Sequence, residues 1–158
     1  MPEFVDGLPL HPLLVHFVVV LLPLAAAGAV VISVWPAARE RFGWLVVAAT
    51  AGTTLLIPFT TNAGAKLKAR LPDNPQINRH EELGNLMLRL SIPLLVFVVA
   101  VMVLHEVSKR REIRWSKIAM VVLAVLTIGS AVLAGVHVFR TGEAGSRSVY
   151  PDVPNLTK

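Results

Sequence analysis

The sequence predicts an all-α integral membrane protein, an up-and-down bundle of four helices. Three observations lead to this fold class. Of the 158 residues, 54% are hydrophobic and the mean hydropathy is +0.65, more apolar than soluble domains of this size usually are. The apolar residues gather into four runs, each near the roughly 20 residues that a helical crossing needs. Prolines, glycines and basic clusters separate the runs. The length leaves room for one domain, taken as residues 1–158.

Met1 to Asp6 carries Glu3 and Asp6 but no Lys or Arg. A secretory leader would be basic, so the first run is expected to remain as a helix. Helix one is expected over about residues 12–33, because Pro12 suits a first turn and Trp35-Pro36 closes the run. Ala37 to Arg41 reads as a short basic turn. Helix two is expected over 42–61, with Asn62-Ala-Gly64 as its stop. A polar connection follows, in which 65–71 has the pattern of a short interfacial helix. Helix three is expected over 78–106, with Asn78 as N-cap and Glu81 in the first turn. Lys109 to Lys117 is a second basic turn. Helix four is expected over 115–139, and the polar tail 140–158, with Gly142, Gly145, Pro151 and Pro154, is expected to be irregular. Small residues at Ala25–Ala29, Ala48 with Gly52, and Ala131 with Gly135 are spaced for close helix contacts.

A faint internal repeat is visible. Each half has a histidine near a helix start, a proline a dozen or so residues on (Pro23, Pro93), a basic turn, and a second helix beside a tryptophan (Trp44, Trp115).

Composition excludes several function classes. Cysteine is absent, so disulfides, thiolate zinc sites, iron–sulfur ligation and covalently attached haem are ruled out. The net charge of +5 and pI near 10.2 fit basic loops against anionic lipid rather than a nucleic-acid surface. Glycine-rich phosphate loops, H-E-x-x-H and G-x-S-x-G are missing. Basic residues mark the two short turns as cytoplasmic, although the opposite side is equally basic in total. The short turns and the acidic start favour both termini outside.

The histidines carry the functional lead. Threading the chain up and down brings His11, His16, His80 and His137 to one bilayer surface and leaves His105 at the other. Imidazole ligates haem and metals and moves protons near neutral pH. His11 and His16 are about 140° apart around a regular helix. His16 and His137 lie at similar depths on different helices, as two axial haem ligands should. Arg89, inside the apolar part of helix three, and Arg140 are candidate partners for haem propionates. His11, His16, His80 and His137 with Glu81 or Glu82 form an alternative donor set for a Zn, Cu or Fe ion.

Leu10-His-Pro-Leu-Leu-Val-His-Phe17 followed by a proline-containing apolar helix resembles the opening signature of a bacterial membrane family, the domain-of-unknown-function 2231 family. Arg79-His-Glu-Glu-Leu-Gly-Asn85 resembles its second histidine block, and Thr141 to Tyr150 its closing glycine-rich motif. The chain has Phe17-Val18 where Phe-Pro is common, and Glu143 where histidine is common. The resemblance implies a four-helix bundle of the bacterial inner membrane, and relatives fused to Rieske domains imply electron transfer nearby.

The leading functional expectation is a b-type haem protein or redox subunit that passes electrons near the outer face, with His16 and His137 as axial ligands and His11 and His80 as alternatives. Electron transfer alone would not make it an enzyme. The alternatives are a His/Glu metal-binding membrane protein and a structural subunit without cofactor. The expected partners are the lipid bilayer, a redox protein or membrane complex, and a second copy of the chain.

Overall fold

A computed structural model describes residues 4–5, 7–111 and 114–149. A two-residue antiparallel ribbon, β1 (Phe4–Val5) and β2 (Leu8–Pro9), precedes the first helix and turns at Gly7, whose φ is +79°. Four long helices follow: α1 (Leu10–Val34), α2 (Pro36–Lys68), α3 (Pro75–Arg110) and α4 (Ser116–Val149). All four are long and apolar enough to cross a membrane. They pack in a ring in chain order: α2 and α4 each touch both α1 and α3, and those two barely meet across the centre.

The ends of the helices differ from expectation in four places. Only Trp35 separates α1 from α2. Proline drives the residue before it out of the helical region, so Trp35 is extended (φ −113°, ψ 103°) while Pro36 opens α2. Residues 37–41, read as a turn, are therefore helical. This tight reversal is capped from α2, because Arg39 donates to the carbonyls of Ile32 (2.7 Å) and Ser33 (2.6 Å) at the end of α1.

The second difference is that Asn62-Ala-Gly64 does not stop α2, which continues to Lys68 and absorbs much of the separate interfacial helix expected over 65–71. Third, α3 starts at Pro75 rather than Asn78, because Asn74 accepts from the Gln76 N–H (2.8 Å) and is the cap. Fourth, residues 140–149 are helical, so the expectation of an irregular tail fails for this stretch. The Glu143–Arg147 pair (2.8 Å) supports that extension. The rest of the tail, 150–158, lies outside the described residues.

The core is a thin central column. Leu22, Ala29 and Ile32 of α1, Ile57 of α2, Leu94 and Val98 of α3, and Ala131 and Ala134 of α4 are buried. Outward faces carry Phe17, Leu24, Leu45, Leu55, Val125, Leu133 and Phe139, all exposed. Such a girdle would aggregate in water and is matched to lipid tails. Buried hydroxyls satisfy themselves locally: Thr50, Thr53 and Thr127 each donate to the carbonyl four residues back. Close glycine contacts fall at Gly28 against Val46 and Gly43 against Met102, whereas a side-chain carbon at Gly52 or Gly135 would meet open space. Gly52 and Gly135 thus do not mark close contacts in this fold, while Ala131 packs in the core.

Candidate functional site

The N-terminal ends of α1 and α3 and the C-terminal ends of α2 and α4 meet at one end of the bundle. His11 donates from Nδ1 to the Thr60 carbonyl of α2 at 2.9 Å. His80 donates from Nδ1 to the Thr141 carbonyl of α4 at 2.9 Å. A carbonyl only accepts, so each bond fixes the proton on Nδ1 and leaves the lone pair of the neutral ring on Nε2. The two rings face each other edge to face, with centroids 6.0 Å apart and planes at 73°.

A glycine backs each ring. A side-chain carbon on Gly64 would stand 2.8 Å from the His11 ring, and one on Gly145 would stand 3.1 Å from the His80 ring. These glycines lie within the helical C-terminal turns of α2 and α4, and inside a helix glycine normally costs about 1 kcal/mol relative to alanine. Here they admit the imidazoles, and neither Gly64 nor Gly145 ends its helix.

Both rings line a cavity of about 60 Å³. Its walls come in matched pairs from the two hairpins, α1–α2 and α3–α4: His11 with His80, Val15 with Gly84, Val18 with Met87, Ile57 with Val138, and Thr60 with Thr141. The pairs keep a constant offset between α1 and α3, and another between α2 and α4. The faint repeat in the sequence is thus a twofold arrangement of hairpins with the cavity between them.

The other candidate residues occupy different settings. His16 is exposed and donates from Nδ1 to the Pro12 carbonyl of its own helix. His137 is 8% exposed and donates from Nε2 to the Leu83 carbonyl of α3 at 2.8 Å. Arg89 and Arg140 are exposed on the outer surface of α3 and α4. Glu81 pairs with Lys68 (2.5 Å) and Glu82 with Arg79 (3.4 Å). His105 lies at the opposite end, where its Nε2 and the Lys109 ammonium both bond Glu40. Among the described residues, no group of three or more His, Asp or Glu is placed to hold a metal ion.

Sequence reading passed over Thr60 and took Gly64 and Gly145 only as helix breakers. The signal was present: Thr60-x-x-Ala63-Gly64 and Thr141-x-x-Ala144-Gly145 repeat the same pattern in the second helix of each hairpin.

Comparison with curated proteins and with solved structures finds no match. Comparison with protein families does. The matched region begins just before the His11 helix and takes in all four spans, both imidazole anchors and both glycine contacts. Four apolar helices with an outward apolar girdle agree with its description, and over residues 7–155 the chain belongs to the family described as "Predicted membrane protein (DUF2231)".

Proposed function

We propose that the chain is a metal-binding redox subunit of the bacterial inner membrane, holding one transition-metal ion between His11 and His80. The observation that carries this reading is the paired anchoring of the two rings. Each spends Nδ1 on a backbone carbonyl of the neighbouring helix (2.9 Å in both cases), and among the described residues Nε2 of neither ring has a hydrogen-bond partner. Metal-ligating histidines characteristically donate their second nitrogen in this way, which fixes both tautomer and orientation. The free lone pairs belong to rings 6.0 Å apart. Two metal–nitrogen bonds of about 2.0 Å each, plus the near halves of both rings, span roughly that distance.

A b-type haem between His16 and His137, with Arg89 and Arg140 at its propionates, would supply the same electron-transfer chemistry. The ion is favoured over it on two grounds. The cavity of about 60 Å³ suits a water or a bare ion, whereas organic cofactors occupy roughly 300 Å³ or more. His137 also commits its Nε2 to Leu83.

Full-length protein purified in detergent, offered Zn, Cu and Fe salts and desalted, is expected to retain about one equivalent of metal and to show no Soret band. His11→Ala and His80→Ala should each abolish retention. Retention unchanged in both variants overturns the reading, as does a wild type that holds no metal. A Soret band lost in His16→Ala and His137→Ala would replace the ion with haem.

A further inference from the structure

The cavity that both imidazoles border continues into the membrane, and its deeper wall has a different chemistry. His11 and His80 stand at its outer end, and Val18 and Met87 lie further along α1 and α3. Each is seven residues on from its histidine, about 10 Å deeper at 1.5 Å per residue. On the antiparallel α2 and α4, Ile57 and Val138 come one turn before Thr60 and Thr141 and so also lie deeper. All four of these deep residues are buried. Midway down, Val15 of α1 is matched by Gly84 of α3, so a side chain is missing from the wall. A carbon added at Gly84 would find only the Thr61 methyl within 4 Å, at 3.9 Å. We propose that this deeper chamber binds a small apolar molecule, a diatomic gas of the dioxygen kind, that enters from the lipid. The site goes beyond the imidazole metal site and does not depend on it.

Polarity decides against water or an ion at this depth. Three threonines border the chamber, but their hydroxyls are already engaged: Thr60, Thr61 and Thr141 donate to the Leu56, Pro58 and His137 carbonyls of their own helices. The Thr60 and Thr141 carbonyls in turn accept from His11 and His80. A buried water needs roughly two to four polar partners, and an apolar cavity without them stays dry and takes apolar molecules. An ion beside Val18 and Met87 would lose its hydration and gain nothing in return.

Size and access select the ligand. A cavity of about 150 Å³ holds benzene, so about 60 Å³ holds roughly two or three heavy atoms in the same proportion. Aromatic rings and whole acyl chains are too large. Val19 lines the chamber and is also 39% exposed, so on that side a single side chain separates the chamber from lipid. Apolar gases dissolve better in lipid tails than in water, and the bilayer therefore supplies the ligand.

Met87 reports occupancy. Full-length protein in detergent, without added metal and with isotope-labelled methionine methyl groups, is compared by NMR under nitrogen and under pressurised oxygen. Dioxygen is paramagnetic and broadens the signals of methyl groups beside it. Met102 is the control, because it is as deeply buried (1% exposed, against 3% for Met87) but does not line the chamber. In the wild type the Met87 signal is expected to broaden several-fold more than that of Met102. Xenon, which is diamagnetic and competes for the same space, should reverse the excess. Gly84→Val copies Val15 into the gap and should bring Met87 down to the level of Met102. Equal broadening of the two methyl groups in the wild type overturns the proposal whether or not the variant folds, and so does an excess that persists in folded Gly84→Val. Cross-relaxation from detergent chains to the Met87 methyl, with no oxygen excess, would give the chamber to a lipid tail instead. Metal retention is read in a separate sample, so either site can fail without the other.

Discussion

Gly64 and Gly145 show how single residues set this site. A methyl group on Gly64 would stand 2.8 Å from the His11 ring, close enough that the ring must move. Overpacking of this kind typically costs 1–3 kcal/mol, against a gain of about 1 kcal/mol from alanine's helix propensity. Gly64→Ala is therefore expected to lower thermal stability in detergent and to break the His11–Thr60 bond. Gly135→Ala meets nothing within 4 Å, so it should raise stability by about 0.5–1 kcal/mol. Parallel melting curves of the two variants check the opposite signs. An identical shift for both would mean that the His11 ring is not confined by Gly64.

The turn joining α1 to α2 depends on one charged side chain. Arg39 is 6% exposed, and its guanidinium supplies donors to the last carbonyls of α1 at Ile32 and Ser33. A helix end leaves such carbonyls without partners, and a one-residue connection has no room for a glycine cap. Hydrogen bonds from a charged donor contribute about 1.5–3 kcal/mol each, and buried acceptors left without partners carry their own penalty. Arg39→Met, which keeps most of the volume, should destabilise the protein by at least about 2 kcal/mol, read as the shift in an SDS-unfolding midpoint. The imidazole site lies at the other end of the bundle, so metal retention in the folded variant should be unchanged.

At the scale of the molecule, four antiparallel helices place residue 73 and residue 114 at opposite ends of the bundle. With both termini outside, as the basic short turns favour, the α2–α3 connection is outside and the α3–α4 connection is cytoplasmic. The chain has no cysteine, so single-cysteine labelling has no background. Asp73→Cys is expected to react with an impermeant maleimide in intact cells, and Arg114→Cys only after permeabilisation. The reverse pattern would put the site at the cytoplasmic face. The twofold arrangement of hairpins also explains why the site lies where it does. Equivalent residues of two similar hairpins approach one another only around the axis that relates them, and His11 and His80 are such a pair.

The number of spans, the lipid-facing girdle and the grouping of histidines at one end are all legible along the chain, because they follow from hydropathy and from alternation of direction. Helix ends are less so. Asn62-Ala-Gly64 and the glycines at 142 and 145 read as breakers, since local propensity counts a glycine as a cost. Their use becomes visible only when a ring from another helix fills the space they leave. In the same way, local sequence places His16 and His137 at matching depths but does not reveal which nitrogen each commits to a carbonyl. Hydropathy along the chain is enough to set four membrane-spanning helices and the end at which the imidazoles gather. That His11 and His80 are the facing pair, and that Met87 lines the same cavity, follows from the packed bundle alone, because lateral distances between helices arise from packing and not from spacing along the chain.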